Sequence, residues 1–134
     1  MPIQPSLSAI DHLVLTVSDF ERTTTFYRDV LGMSLTSFRG ADGRERFALQ
    51  FGRQKINLHI QGAEIAPHAA HPLPGSLDIC LISDAPLEDW IDHLAKNGVT
   101  PESSIVERTG ATGRLRSIYL RDPDLNLIEI SNHL

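Results

Sequence analysis

Cysteine is almost absent from this chain: Cys80 stands alone among 134 residues, which excludes an intramolecular disulfide framework. It falls in the apolar run Leu77 to Ile82, where a packed thiol is expected rather than a nucleophile. No apolar run approaches the roughly 20 residues needed to cross a bilayer. The N-terminus lacks the ordered basic, apolar and small-residue stretches of a secretion signal, so the cytoplasm is the expected compartment. Positive charge is also scarce, with 12 Lys and Arg against 17 Asp and Glu and a net charge of −5. That balance argues against a nucleic-acid surface, although Arg39, Arg44 and Arg46, and separately Arg108, Arg114, Arg116 and Arg121, could form local anion sites. No segment is of low complexity, and 41% hydrophobic residues suffice for one core.

What is present is an internal repeat. Gly110-Ala111-Thr112-Gly113-Arg114 repeats Gly40-Ala41-Asp42-Gly43-Arg44 at a lag of 70, a lag that also sets Glu129 opposite His59. Earlier segments match at a lag of 66, pairing His12 with Asp78 and Leu31-Gly32 with Asn97-Gly98. Two modules follow, about 8–61 and 76–133, joined by a linker over 62–75 that carries three prolines, the whole forming one domain over 1–134.

Each module reads as strand, helix, then three strands. In the first, Ile10 to Val17 alternates as a strand, and Ser18 with Glu21 predicts a capping box for a helix from Phe20 to Leu31 ended by Gly32. Strands are expected near Ser34 to Arg39, Glu45 to Phe51 and Lys55 to Gln61. In the second, Leu77 to Ile82 precedes a helix from about Pro86 to Asn97, whose Leu87, Trp90, Ile91 and Leu94 follow the 3.6-residue period. Strands near Glu102 to Arg108, Leu115 to Arg121 and Leu127 to Asn132 complete it, with Asp122-Pro123-Asp124 as a turn.

Strand alternation carries the chemistry. Ile56, Leu58 and Ile60 share one face, so Lys55, Asn57, His59 and Gln61 share the other. Glu129 likewise projects opposite to Ile128 and Ile130, and Asp78 opposite to Leu77, Ile79 and Leu81, while His12 shares its face with Ile10, Val14 and Thr16; the four point into one concavity if each module curls around a shared centre. Two imidazoles and two carboxylates suit an octahedral shell for Mn, Fe, Co, Ni or Zn with positions left for substrate oxygens. Without Asp78, the set His12, His59 and Glu129 is the two-histidine, one-carboxylate type used by non-haem Fe(II) oxygenases, and Asp78 would then orient a histidine. Arg46, Gln50 and Asn57 line the same polar face as candidate substrate contacts, and Tyr119 is a pocket wall or core residue. The loop Thr109 to Gly113 offers backbone donors or is simply a turn. Arg114 and Arg116 are expected in solvent, and His68, His71 and His133 at the surface.

Ile10-Asp11-His12-Leu13 opening the first module, and Asp122-Pro123-Asp124-Leu125-Asn126-Leu127-Ile128-Glu129 closing the second, resemble the vicinal oxygen chelate superfamily. That superfamily includes glyoxalase I, extradiol dioxygenases, fosfomycin-resistance transferases and bleomycin-binding proteins. Lys55 to His59, Pro72 to Cys80 and Arg108 to Ala111 further resemble the glyoxalase domain-containing protein 5 group and its bacterial virulence-associated relatives. The resemblance implies an α+β fold of two βαβββ modules forming a half-barrel pair. It implies metal positions on the first and fourth strands of each module, here His12, His59, Asp78 and Glu129. Bacterial-type glyoxalase I usually has a carboxylate where His59 stands and a histidine where Asp78 stands. The implied activity is metal-dependent isomerisation or lyase chemistry on a small oxygen-rich substrate, with Glu129 or Asp78 moving the proton. An Fe(II)-dependent extradiol-type dioxygenase and a non-catalytic small-molecule binding protein are the alternatives. A homodimer is expected, His12 and His59 of one subunit facing Asp78 and Glu129 of the other.

Overall fold

The computed structural model describes residues 3–134. The first module contains β1 (His12–Val17), α1 (Phe20–Thr25), β2 (Ser34–Arg39), β3 (Glu45–Phe51) and β4 (Gln54–Ile60). The second contains β5 (Asp78–Ile82), α2 (Leu87–Lys96), β6 (Val106–Thr109), β7 (Arg114–Arg121) and β8 (Leu127–His133). Each forms a four-stranded sheet, ordered β1-β4-β3-β2 and β5-β8-β7-β6. The first and last strands of each module run parallel and the other pairs antiparallel, so the expected α+β architecture of two βαβββ modules is the observed one. No helix among the described residues is long and apolar enough to cross a membrane.

The helices differ from expectation in detail. Asp19, not Ser18, caps α1, its side chain accepting from the Arg22 N–H at 3.0 Å. Ser18 instead donates to Asp124, from its backbone N–H at 3.1 Å and from its hydroxyl, tying the two modules together. The helix continues past Thr25 as a π-helical turn over Phe26–Val30 and ends at Gly32 with φ +75°. In the second module, α2 begins after Pro86 and ends before Asn97, as its periodicity predicts. The strand expected from Glu102 is shorter and starts at Val106.

The apolar faces of both sheets meet in a single core. Leu15, Val17, Leu49, Ile56 and Leu58 from the first sheet cluster with Ile118, Leu120, Ile128 and Ile130 from the second. Tyr27, Val30 and Leu31 after α1, and Leu87 and Leu94 of α2, fill the space between them. Within that core the Tyr27 hydroxyl donates to Asp122 at 2.7 Å, and burial, reinforced by Asp122, pushes its pKa far up. Asp122 also accepts from the backbone N–H groups of Asp124 and Asn126 and from the Asn126 amide, so one carboxylate holds the β7–β8 turn against the π-helical turn that follows α1. Because both sheets present their apolar faces to one core, their polar faces point away from it in different directions.

Candidate functional site

Strand register determines which polar residues can meet. On the first sheet, His12 pairs with Lys55, and Lys55 with Gln50. The next row on the same face is Val14, Asn57, Ala48 and Thr36, and the one beyond contains Thr16 and His59. On the second sheet, Asp78 pairs with Leu127, and Leu127 with Arg121, while Cys80 pairs with Glu129, and Glu129 with Tyr119. With His12 and Asp78 as counterparts at the starts of β1 and β5, Lys55 matches Leu127, Asn57 matches Glu129, and His59 matches Ser131. The positive-φ glycines Gly32 and Gly98 after the two helices keep the same correspondence between the modules as His12 and Asp78.

The lag of 70 therefore applies to the Gly-rich loops and not to β4 and β8. His59 lies four residues further along the sheet than His12, roughly 13 Å at about 3.3 Å per residue, so the structure does not bring the two histidines together. Asn57 stands to His12 as Glu129 stands to Asp78: two residues on and one strand across. Among the described residues, no three of His, Cys, Asp and Glu gather within one chain closely enough to hold a metal ion.

Each candidate has a defined environment. His12 is exposed, and its Nδ1–H donates to Asp11 at 2.8 Å, which leaves Nε2 as the free lone pair. His59 is 8% exposed and its Nδ1 has no partner. Burial, then the charge of Arg46, holds the His59 pKa below its usual 6.5. On the same face, Asn57 Oδ1 and Arg46 Nε are also buried without partners, so three orphaned polar atoms lie on one sheet surface. Gln50 is exposed at the far end of that face beside Thr36, Phe38 and Lys55.

On the second sheet, Glu129 Oε2 accepts from the Ser131 hydroxyl at 3.2 Å, and Ser117 reaches Ser131 at 2.6 Å. This hydroxyl chain fixes one carboxylate oxygen, and the Cys80 thiol is hydrogen-bonded to the same carboxylate. Asp78 is exposed at the start of β5. Cys80 is not packed: it shares the open face of Asp78 and is exposed, its sulfur 3.2 Å from Ser131 Oγ. Burial of the sulfur raises its pKa all the same, so it is no thiolate at neutral pH. Arg121 pairs with Glu102 at 2.7 Å and not with Glu129. Arg114 and Arg116 pair with Glu107 and Glu88.

Two cavities open on these faces. One of about 480 Å³ lies between the linker and the first sheet, where His59, Val14 and Thr16 face His68, His71, Pro72 and Leu73. His68 and His71 are exposed as expected, yet they line the His59 cavity, which the linker's sequence alone does not signal. The other, about 430 Å³, lies on the second sheet between Cys80, Glu129, Arg108 and the Gly110 to Thr112 loop. Tyr119 adjoins it, paired with Glu129 and hydrogen-bonded to Arg108. Ser131 is the contributor that the sequence reading missed, although alternation along β8 places it on the face of Glu129.

The Glyoxalase/Bleomycin resistance protein/Dioxygenase superfamily model matches residues 9–130. Virulence protein STM3117 of Salmonella typhimurium is 50% identical over 132 residues, covering 98% of this chain and 89% of the relative. Its crystal structure superposes with a TM-score of 0.90 at 49% identity, covering 97% of this chain and 100% of that one. Glyoxalase domain-containing protein RDO1 of Mycosarcoma maydis is 46% identical over 130 residues, covering 97% of this chain and 71% of the relative. The crystal structure of lactoylglutathione lyase from Agrobacterium tumefaciens matches with a TM-score of 0.70 at 25% identity, covering 95% of each chain.

Proposed function

Because the chain belongs to the Glyoxalase/Bleomycin resistance protein/Dioxygenase superfamily, we propose that it is a metal-dependent, glyoxalase-like enzyme holding neighbouring oxygens of a small substrate between two copies of itself. The observation that carries this reading is the division of the polar residues. One chain turns His12, Asn57 and His59 to one side of its core and Asp78, Cys80 and Glu129 to another. A second copy placed sheet to sheet would unite one half-set with the complementary half-set, as a two-fold homodimer does. Val14 and Ile82, 47% and 50% exposed on those same faces, would be covered by such pairing.

The residues present fit a divalent ion. His12 offers Nε2 with its other nitrogen tied to a carboxylate, Asn57 offers a buried unpaired carbonyl oxygen, and Asp78 and Glu129 offer carboxylates. His59 stands one residue pair beyond Asn57, as the competing donor and as a contact for the rest of the substrate. Among Mn, Fe, Co, Ni and Zn, a donor set so rich in oxygen favours Mn(II). A bound ion would stabilise negative charge on the substrate oxygens by several kcal/mol. Glu129 is the proton-transfer residue: Ser131 fixes Oε2, and the carboxylate takes a proton from a carbon beside a carbonyl and returns it. Asp78 is the second candidate for that role. Arg46, Gln50 and Tyr119 complete the walls.

The test is metal content by mass spectrometry on untagged protein, wild type beside His12→Ala, Asn57→Ala, His59→Ala and Glu129→Ala. About one ion per chain is expected in the wild type, as a symmetric pair of shared sites requires. His12→Ala and Glu129→Ala should lose it, and Asn57→Ala should lose more than His59→Ala. A wild-type protein that takes up none of these ions on reconstitution overturns the reading. Small-molecule binding without catalysis would then stand in its place, favoured by the apolar-walled cavity that the linker closes over His59 within one chain.

A further inference from the structure

Four arginines lie on the second sheet, and three of them have carboxylate partners: Arg114 with Glu107, Arg116 with Glu88 and Arg121 with Glu102. Arg108 is the fourth, and no carboxylate lies within ion-pairing distance of it among the described residues. It is nevertheless held in place. Its Nε donates to the Tyr119 hydroxyl at 2.9 Å, one Nη donates to the Glu107 carbonyl at 2.9 Å, and the guanidinium carbon lies 5.5 Å from the Tyr119 ring centroid. A guanidinium has five N–H donors, so three remain, grouped at the end that carries the two Nη atoms. That is the planar fork that receives an oxyanion by two parallel hydrogen bonds.

The location gives the fork its meaning. Arg108, Tyr119 and Glu129 share one face of the sheet, with Tyr119 directly beside Glu129 in the register. Arg108 and Glu129 line the same cavity of about 430 Å³, together with the Gly110 to Thr112 loop. Gly110 is tightly enclosed there, since a Cβ would come within 2.8 Å of the Leu115 side chain and 2.9 Å of the Gly113 carbonyl oxygen. In a chain of net charge −5, an oriented cation without a carboxylate partner is a local feature suited to an incoming anion.

We infer that Arg108 anchors a carboxylate of the substrate, at the end of the cavity away from the oxygens that react beside Glu129. The substrate is accordingly a small organic acid whose carboxylate is separate from its reacting oxygens. Tyr119 is a positioning residue, acting through the Arg108 side chain. This rests on the reading of Glu129 as a reacting-end residue, and the test separates the two.

The experiment follows, by NMR, the Arg108 Nε–H resonance in the wild type and Tyr119→Phe, and the backbone amides of Gly110 and Ala111 in these and in Arg108→Gln and Arg108→Lys, while acetate, and separately inorganic phosphate, is titrated in, with metal content measured on each sample. A saturable shift with acetate is expected in the wild type. Acetate binding, followed in the variants through the backbone amides of Gly110 and Ala111, should weaken about tenfold or more in Arg108→Gln, as loss of a charge-assisted pair implies. Arg108→Lys should recover only part of it, because a lysine has the charge without the fork. Tyr119→Phe should weaken acetate while leaving metal content unchanged. Saturable binding of phosphate with none of acetate would overturn the carboxylate assignment. Equal acetate affinity in wild type and Arg108→Gln would overturn the role of Arg108. Acetate binding at Arg108 in a protein that takes up no metal would refute the metal reading alone.

Discussion

His59 is buried with one ring nitrogen unpaired, and its pKa lies below 6.5, first because of burial and then because of Arg46. Protons then bind the unfolded chain more readily than the folded one as pH falls below 6.5. The contribution of His59 to stability is full above that pH and is lost as pH falls from there toward the folded pKa. In urea titrations with chelator present, wild type should lose stability relative to His59→Gln between roughly pH 7 and pH 5. A difference that stays flat, or grows in favour of wild type on acidification, would show that the imidazole is not held neutral. The residue-level reading succeeded where a period of two decides the matter, since alternation along β4, β5 and β8 placed Asn57, His59, Asp78 and Glu129 opposite their apolar neighbours, and that along β1 set His12 on the face of Val14 and Thr16. It went astray where register decides. The loops repeat at 70, but β4 and β8 correspond differently, and only the ladder reveals that Asn57 is the counterpart of Glu129. Cys80 was misplaced for another reason: its apolar neighbours suggested a core, although alternation already set it on the face of Asp78.

Elements were legible to the extent that local chemistry sets them. Glycines with positive φ end both helices, the apolar period of α2 gives its bounds, and β2 and β3 begin and end where their alternation does. The exceptions have tertiary causes. Ser18 is drawn away from capping by Asp124, so Asp19 caps α1, and a π-helical turn brings the Tyr27 hydroxyl onto Asp122. The β7–β8 turn contains the one described non-glycine residue with positive φ, Leu125 at +68°, while the equivalent β3–β4 turn has Gly52 at +52°. Leu125 is 67% exposed, so its side chain contributes little packing to offset the left-handed backbone. Leu125→Gly should therefore raise stability by about 1 kcal/mol, the strain relieved outweighing the extra freedom of the unfolded chain. A lower urea midpoint for the variant would mean that the exposed leucine has a packing role which its position conceals.

At the scale of the molecule, the expectation that the two half-sites meet between chains came from the family resemblance alone, because nothing local specifies how two amphipathic sheets face each other. The core settles the orientation within a chain: Leu49, Ile56, Ile118 and Ile128 belong to one cluster, and the polar faces lie outside it. A site shared between copies has a consequence that a site within one chain does not. Chains carrying His12→Ala lack the first half-site, and chains carrying Glu129→Ala lack the second, so each protein alone should bind no metal. If the two are unfolded together and refolded as an equal mixture, random pairing makes about half of the dimers mixed. Each mixed dimer then has one cup built from two intact halves and one from two defective halves, so about a quarter of the wild-type metal content should return. Recovery near that level, in a species whose mass by light scattering is twice that of the chain, is the expected result. No recovery from a mixture shown to contain mixed dimers would place every donor of a site in one chain, and the open polar faces of the sheets would then need another partner.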